Sequence, residues 1–341
     1  MVSIKDIASA CGVSIATVSK ALNGHRDVSD ETRERIRRTA EELGYLANAS
    51  ARALKTNRSY NIGVLFVDQR GSGLAHEFFS AVLDSIRVEA EASGYDITFI
   101  NRTVGRQTSS YLQHCLYRGV DGVVIASVDF RDPMVVELVE SALPVVTIDH
   151  SFNNRIAVMS DNVRGMEELV RYAAGRGHRR LAFIHGERTT VTENRLTGFH
   201  RACEALGIEE RKEYLVEGAF HDTKACYEAT KKLLALPVRP SCIFFPDDFS
   251  YIGGYNAITE AGLRIPEDIS VVGYDGIHLS EVISPKLTTW RQSTTGLGRE
   301  AAARLIELIE HPRTTLIDRQ IVSGRLWEGE SVKDLNACAK P

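Results

Sequence analysis

Acidic residues stand where predicted β-strands end: Asp68, Asp149, the pair Asp247-Asp248, and Asp275, with Ser127 as a further polar group in the same kind of position. In open α/β sheets, ligands bind in the crevice beyond the carboxyl ends of the strands. Groups of this type can accept hydrogen bonds from a small polar ligand held there. The motifs that would signal an enzyme are incomplete. Gly71-x-Gly73 opens a dinucleotide fingerprint, but His76 occupies the third glycine position and the segment lies well after its strand. His76-Glu77-Phe78-Phe79-Ser80 opens a zinc-protease pattern whose last ligand is replaced by Ser80. No G-K-[ST] loop or G-x-S-x-G elbow occurs. The ten histidines show no metal spacing, and cysteines 11, 115, 203, 226, 242 and 338 form no C-x-x-C pair. No catalytic residue, metal or cofactor is expected, with a sugar-modifying α/β enzyme as the residual alternative.

The elements that must carry these acidic residues repeat. One half reads strand 61–68, helix 78–93, strand 95–101, helix 110–118, strand 122–127, helix 133–141, strand 144–149. The other reads strand 181–185, helix 194–206, strand 214–217, helix 224–235, strand 242–246, helix 250–261, strand 269–274. A last strand is expected around 321–327. Runs such as Val123-Val124-Ile125-Ala126 are apolar throughout, as parallel strands covered on both faces require. The alternation predicts two doubly wound parallel-sheet α/β lobes facing across a cleft.

Ahead of this body, Ile4, Ile7 and Ala8 lie at helical spacing, Gly12 breaks the pattern, and Ser14 can cap a second helical phase through Thr17, Val18 and Leu22. Two short helices joined by a glycine turn form a helix-turn-helix, whose second helix can enter the major groove of DNA. Ser29 can cap a third helix carrying Ile36, Ala40 and Leu43, which Gly44 ends, and Tyr45-Leu46 would close the small core. Residues 48–55 are Ala-rich and too short to be helical alone; they can fold only against a symmetry mate or DNA.

The ordered pattern Ile4-Lys5-Asp6-Ile7-Ala8, Gly12-Val13-Ser14, Ala16-Thr17-Val18-Ser19-Lys20-Ala21-Leu22-Asn23-Gly24, Val28-Ser29, Thr32-Arg33, Leu43-Gly44-Tyr45 and Asn48-Ala49-Ser50-Ala51-Arg52-Ala53-Leu54-Lys55 resembles the lac-repressor and galactose-repressor family of bacterial transcription regulators. The resemblance implies that Ile15, Ala16 and Lys20 read bases. Lys20 can donate to guanine or a phosphate, while Ile15 and Ala16 offer apolar contact, for instance to a thymine methyl. Ser14, Thr17, Ser19 and Asn23 match positions that hold the phosphate backbone or shape the helix. It also implies a hinge helix from Asn48 and a minor-groove wedge at Leu54, for which the alternative is a plain linker residue. Ala47 stands where the family usually has proline.

The likeness continues through Asp161-Asn162 with Gly165, Asn194-Arg195-Leu196 with Gly198-Phe199, Asp248 with Gly253, and Ile265-Pro266-Glu267-Asp268-Ile269-Ser270-Val271-Val272-Gly273-Tyr274-Asp275. The body resembles periplasmic sugar-binding proteins. By that resemblance Arg195 and Asp275 hold vicinal hydroxyls of an effector, Phe220 stacks on it, and Phe78 or Phe79 and Ser127 line the first lobe. A structural salt bridge is the alternative for Arg195, core packing for Phe220, and lobe-bridging roles for Asp149 and Asp161. Asp247-Asp248 stands at the family's usual Asn-Asp pair, and the extra carboxylate favours a hydroxyl-rich or cationic ligand. Gly276 replaces the family's second aspartate.

At 341 residues and 43% hydrophobic content, the chain can build several cores. Residues 1–60 hold ten Lys/Arg against seven Asp/Glu, while the remainder holds 31 against 38. A basic head of net +3 on a body of net −7 suits contact with phosphate at one end. No run approaches a membrane span and no apolar leader precedes the head, so a cytoplasmic protein is expected. The expected organisation is a DNA-binding domain over 1–47, a hinge and linker over 48–60, and an effector core over 61–341. Within the core, lobe 1 spans about 61–160 and 291–321, and lobe 2 about 161–290 and 322–341. These features predict a dimeric, effector-controlled regulator of transcription, a repressor, on a palindromic operator in double-stranded DNA. Residues 331–341 hold no leucine heptad, so no tetramer-forming tail is expected. The alternatives are an activating or corepressor-responsive member of the same architecture and a cytosolic sugar-binding protein without DNA function.

Overall fold

The computed structural model describes residues 2–22, 25, 27–45 and 58–336. The expectations for Asn23, Leu46, the hinge at Asn48 and the wedge at Leu54 lie outside the described residues. The chain forms two compact units, Met1–Ser59 and Tyr60–Pro341.

The first unit contains α1 (Ile4–Cys11), α2 (Ile15–Leu22) and α3 (Asp30–Glu42). Each start has a local cause. The Asp6 carboxylate turns back to accept from the Ser3 N–H at 2.8 Å. Ser14 Oγ accepts from the Thr17 N–H at 3.0 Å, and Ser29 accepts from Thr32, which satisfies N–H groups that the first turn leaves orphaned. Gly12, at φ 63°, ends α1 in the left-handed region where a side chain would be strained. Ile7, Ala8, Cys11, Val18, Ala21, Ile36 and Ala40 form the core, with Tyr45 packed against it. Leu43, expected in that core, is 40% exposed because it caps α3 rather than continuing its buried stripe.

The second unit holds two six-stranded sheets. Lobe 1 contains β1 (Asn61–Phe66), α4 (Glu77–Ala92), β2 (Asp96–Phe99), a small hairpin of β3 (Thr103–Val104) and β4 (Gln107–Thr108), α5 (Tyr111–Arg118), β5 (Gly122–Ser127), α6 (Pro133–Glu140), β6 (Val145–Ile148) and β7 (Ile156–Ser160). Lobe 2 contains α7 (Asn162–Gly175), β8 (Leu181–His185), α8 (Thr190–Ala205), β9 (Leu215–Glu217), α9 (Thr223–Leu234), β10 (Cys242–Phe244), α10 (Tyr251–Glu260), β11 (Ser270–Asp275), α11 (Leu279–Val282) and β12 (Thr288–Arg291). The chain then returns through α12 (Thr294–Glu310) and β13 (Arg319–Val322) to lobe 1, and ends with β14 (Arg325–Trp327) in lobe 2.

The sheet of lobe 1 is ordered β13-β7-β6-β5-β1-β2 and that of lobe 2 β14-β12-β11-β10-β8-β9, parallel except for the β12–β14 pair. The two-residue period of a strand sorts its side chains between helix layers. Val124 and Ala126 pack toward the α4/α12 layer, whereas Val123 and Ile125 pack toward α5 and α6. Lobe 2 repeats this, with α7 and α8 on one face and α9 and α10 on the other.

Three expectations need correction. The last strand, read as one segment over 321–327, is two strands in different sheets, split at Ser323-Gly324. The helix expected from Asn194 begins at Thr190, where Thr189 accepts from the Thr192 N–H at 3.3 Å. The alternation also omits β7 with α7, and α12, which carry two of the three passages between lobes.

Candidate DNA-reading surface and effector cleft

On α2, Val18 and Ala21 are buried, whereas Ile15, Ala16 and Lys20 are exposed. Ser14 and Thr17 join hydroxyls at 2.8 Å at the head of the helix. Ser19 is half-buried. Lys20 Nζ lies 2.5 Å from Asp27 Oδ2, with both side chains half exposed. An ion pair in that setting is screened by water and opens readily, leaving the ammonium available to an acceptor.

In the body, segments beyond the carboxyl ends of β1, β9, β10 and β11 meet at one cavity of about 230 Å³. Phe78, Asp247 and Asp275 line it, together with His76, Glu77, His221 and Phe249. His76 of lobe 1 stacks on His221 of lobe 2 with ring centroids 4.0 Å apart, and His221 stacks on Phe249 at 4.0 Å. Burial and the neighbouring His221 push the His76 imidazole down to about 4, so it is neutral near pH 7. Its Nδ1 is buried without a partner among the described residues. Further lobe-to-lobe contacts are the Arg70 ion pairs with Glu187 and, at 3.2 Å, Asp222, and the His150–Thr190 hydrogen bond at 3.1 Å.

Arg195 on α8 is 4% exposed. Its Nε donates to Asn162 Oδ1 at 2.8 Å, one Nη donates to the Pro246 carbonyl at 2.6 Å, and the other Nη lies 3.7 Å from Asp275 Oδ1. The guanidinium covers the Tyr274 ring at 3.5 Å and reaches Phe220 at 5.5 Å. Asp275 also accepts from Gln292 at 2.8 Å and sits at φ 101°. A non-glycine residue there is strained and held by its surroundings. Burial raises the Asp275 carboxyl to about 7, and Arg195 partly opposes that rise. Asp247 accepts from Ser250 through its N–H and hydroxyl, both at 2.7 Å, and from the His221 N–H at 2.8 Å.

The other predicted residues take distinct places. Asp149 accepts from Ser160 N–H and hydroxyl at 2.6 and 2.9 Å, and burial raises its pKa. Asp161 caps α7 and lies 3.4 Å from the Ser323 hydroxyl, at the lobe crossover. Phe79 packs among Phe66, His76 and Phe78. Ser127 closes β5 half-buried, and its carbonyl accepts from the Val67 N–H. Phe79, Ser127, Asp149, Asp161, Arg195 and Phe220 do not line the cavity; Arg195 reaches it only through Asp275. Asp248 does not line it either. It ties β11 to β12 through Thr289 at 2.7 Å and Ile277 at 2.9 Å.

His76, Glu77, His221 and Phe249 line the cavity without having been expected there. His76 and Glu77 were visible as a failed metal motif, and His221 and Phe249 directly follow residues that were named. The glycines of the shared motifs are packing requirements. A Cβ on Gly165 would come within 2.4 Å of the Tyr274 hydroxyl, and one on Gly253 within 1.8 Å of the Thr223 carbonyl. Gly276 sits at φ 68°, where a Cβ would meet the Arg291 backbone at 2.5 Å. The aspartate expected there from the family pattern has no room on this backbone.

The helical unit and the body match two family descriptions. Residues 3–48 match the model for bacterial regulatory proteins of the lacI family, and residues 170–332 match a periplasmic binding protein-like domain. The HTH-type transcriptional repressor PurR of Mannheimia succiniciproducens is 32% identical over 317 residues, covering 91% of this chain and 93% of that protein. The chain belongs to the LacI family. The probable repressor ExuR of Bacillus subtilis is 31% identical, covering 92% of this chain and 93% of its own length. The lac repressor dimer bound to operator and the anti-inducer ONPF aligns with a TM-score of 0.79 at 26% identity, covering 97% of this chain and 99% of that one. As a LacI-family protein, the chain is a DNA-binding transcriptional repressor with a ligand-binding domain, and the family consists of regulators rather than enzymes. The paired parallel-sheet lobes are the periplasmic-binding-protein-like architecture of that family. Among the described residues no helix is long and apolar enough to cross a membrane, and no His/Cys/Asp/Glu cluster could hold a metal ion.

Proposed function

We propose that this LacI-family protein is a homodimeric, cytoplasmic repressor of a palindromic operator, whose affinity for that operator changes when a small sugar or polyol occupies the cleft. In this reading residues 1–47 bind DNA, residues 48–60 form the hinge, and residues 61–341 form the sensing core. Ile15, Ala16 and Lys20 read bases. Ser14, Thr17, Ser19 and Asn23 hold the phosphate backbone or shape the helix, Asn48 opens the hinge, and Leu54 is the minor-groove wedge. Phe78, Asp247 and Asp275 contact the effector directly, while Arg195 and Phe220 hold Asp275 and the cleft wall.

The observation that carries the effector class is the chemistry of the cavity. Two carboxylates, Asp247 and Asp275, face it beside the rings of Phe78, His76, His221 and Phe249. The guanidinium beside Asp275, that of Arg195, is already engaged by Asn162, Pro246 and Asp275. Carboxylates accept from hydroxyls and ring faces pack on C–H groups, whereas an anionic ligand would meet like charge without a free counterion. A solved regulator of the family from Enterococcus faecium carries bound ribose, aligning with a TM-score of 0.70 at 27% identity, and another structure is a regulator–cellobiose complex. Closure is a population shift, and a hundredfold change in operator affinity needs about 2.7 kcal/mol of coupling.

The test is selection of bound sequences from a random DNA pool, with and without a mixed sugar and polyol panel. A recovered palindrome whose yield changes with the panel supports the reading. A palindrome indifferent to the panel refutes the effector assignment, and no enriched sequence in any arm refutes the DNA assignment.

A further inference from the structure

Lobe 2 has a second cavity of about 270 Å³, lined by Arg179, Arg180, Arg211, Tyr214 and Glu209 among others. Arg179-Arg180 lead into β8, and Arg211 to Tyr214 lead into β9. These strands are parallel neighbours, so their lead-in segments meet at the amino edge of the sheet, opposite the effector cleft. Two of the arginines are fixed by backbone rather than by acids. Arg179 donates to the Ala174 and His178 carbonyls at 2.9 and 3.1 Å, and Arg180 Nε donates to the Arg239 carbonyl at 2.9 Å. Among the described residues neither has a carboxylate within ion-pair distance. The single lining acid, Glu209, lies 3.8 Å from Arg211. Tyr214 spends its hydroxyl on the Val238 carbonyl at 2.8 Å, and the Arg211 guanidinium sits 5.7 Å from its ring centroid.

We propose that this pocket is a second ligand site, for a small phosphorylated molecule, separate from the effector cleft. Guanidinium forks whose inner edge is held by carbonyls present their outer edge pre-oriented, the geometry that binds phosphate oxygens in pairs. Three arginines against one glutamate leave the lining at net +2, although the body as a whole is acidic. Fixed positive charge in a concave site also collects anions from solution. Helix α8 carries Arg195 and ends at Ala205, just before this pocket, so a ligand here has a rigid element in common with the cleft.

The test is calorimetric titration of the full chain with inorganic phosphate and a hexose 6-phosphate, using the unphosphorylated hexose as control, in chloride buffer. Both phosphates should bind at one site, Asp247→Asn should leave their affinity unchanged, and Arg180→Gln with Arg211→Gln should weaken it by at least about tenfold while the chain melts and binds DNA as before. If the double variant melts early, Arg211→Gln alone, whose side chain makes the long Glu209 pair and the Tyr214 ring contact, should still weaken binding. The proposal is overturned by absence of binding, by affinity indifferent to the arginine substitutions, or by a changed affinity in either direction in the Asp247 variant, which would place the phosphate in the effector cleft. DNA competing for the phosphate site in wild type but not in the arginine variants would also overturn it, by making the pocket a nucleic-acid contact.

Discussion

Replacing Arg195 by methionine tests the centre of the cleft. The substitution keeps an apolar stem over Tyr274 but removes a buried cation that serves three acceptors: Asn162 Oδ1, the Pro246 carbonyl and Asp275. Taking one partner from a buried pair leaves the other without compensation, a loss of about 3–5 kcal/mol. For a unit of this size each kcal/mol lowers Tm by roughly 2–4 °C, so the body should melt roughly 6–20 °C below wild type. Asp275 dictates the pH dependence of that loss. Its folded pKa, already raised to about 7 and held down by Arg195, rises further in the variant. A raised carboxyl pKa gives stability that is lost as pH rises through the folded value, so Arg195→Met should be more damaging at pH 8 than at pH 6. Adding Asp275→Asn removes the uncompensated carboxylate and should recover more than half of the loss, a coupling that a double-mutant cycle measures. The assay is thermal unfolding of the full chain by circular dichroism at both pH values, with effector response measured alongside. The single variant should lose its response while keeping DNA binding. A body transition within about 1 kcal/mol of wild type, or no recovery from the Asp275 substitution, would refute the assignment of Arg195 as the cation that holds this carboxylate.

Lys20→Ala should lower operator affinity, relax one half-site position and reduce the salt slope of binding by about one, as read by titration at several salt concentrations; an unchanged slope and unchanged sequence preference would remove Lys20 from the interface. Leu54→Ala should abolish operator preference yet keep salt-sensitive non-specific binding, and preserved preference in a competition assay would refute the wedge. His76→Phe keeps a ring in the interlobe stack but cannot gain a proton. The His76 folded pKa of about 4 lies below its ordinary 6.5, so wild type loses stability as pH falls from about 6.5 to about 4, by at most about 3 kcal/mol. Denaturant unfolding across that range should show the variant gaining on wild type toward acid, and a constant difference would falsify the burial argument.

Parts of the site were legible because their signals are local. Ser14 caps α2 as its position predicts, and the exposure of Ile15, Ala16 and Lys20 follows from the 3.6-residue period once Val18 and Ala21 are buried. Asp247 and Asp275 were readable as acids closing apolar strands. His76 and His221 were not, since their meaning comes from a ring contact between loops on opposite lobes, 145 positions apart in the chain. Arg195 was legible as a functional residue but ambiguous in role. The two readings, salt bridge and ligand contact, differ only in what surrounds the guanidinium, and the fold supplies Asn162, Pro246 and Asp275 around it.

The helix-turn-helix, the alternation of strand and helix, and the caps and glycines that start and stop elements are written locally in the chain, because each depends on dihedral preferences and hydrogen bonds within a few residues. Unbroken apolar runs likewise mark the inner strands, such as β5 and β6, as buried on both faces. Which sheet each strand joins is settled by long-range pairing instead. Apolar residues from Ile321 to Trp327 read as one strand, yet Ile321 pairs with Met159 in one lobe and Leu326 with Trp290 in the other. Hydrophobic periodicity records that a residue is buried and not against what, so the three crossings, and the cleft they frame, are set by pairing between segments far apart in the chain.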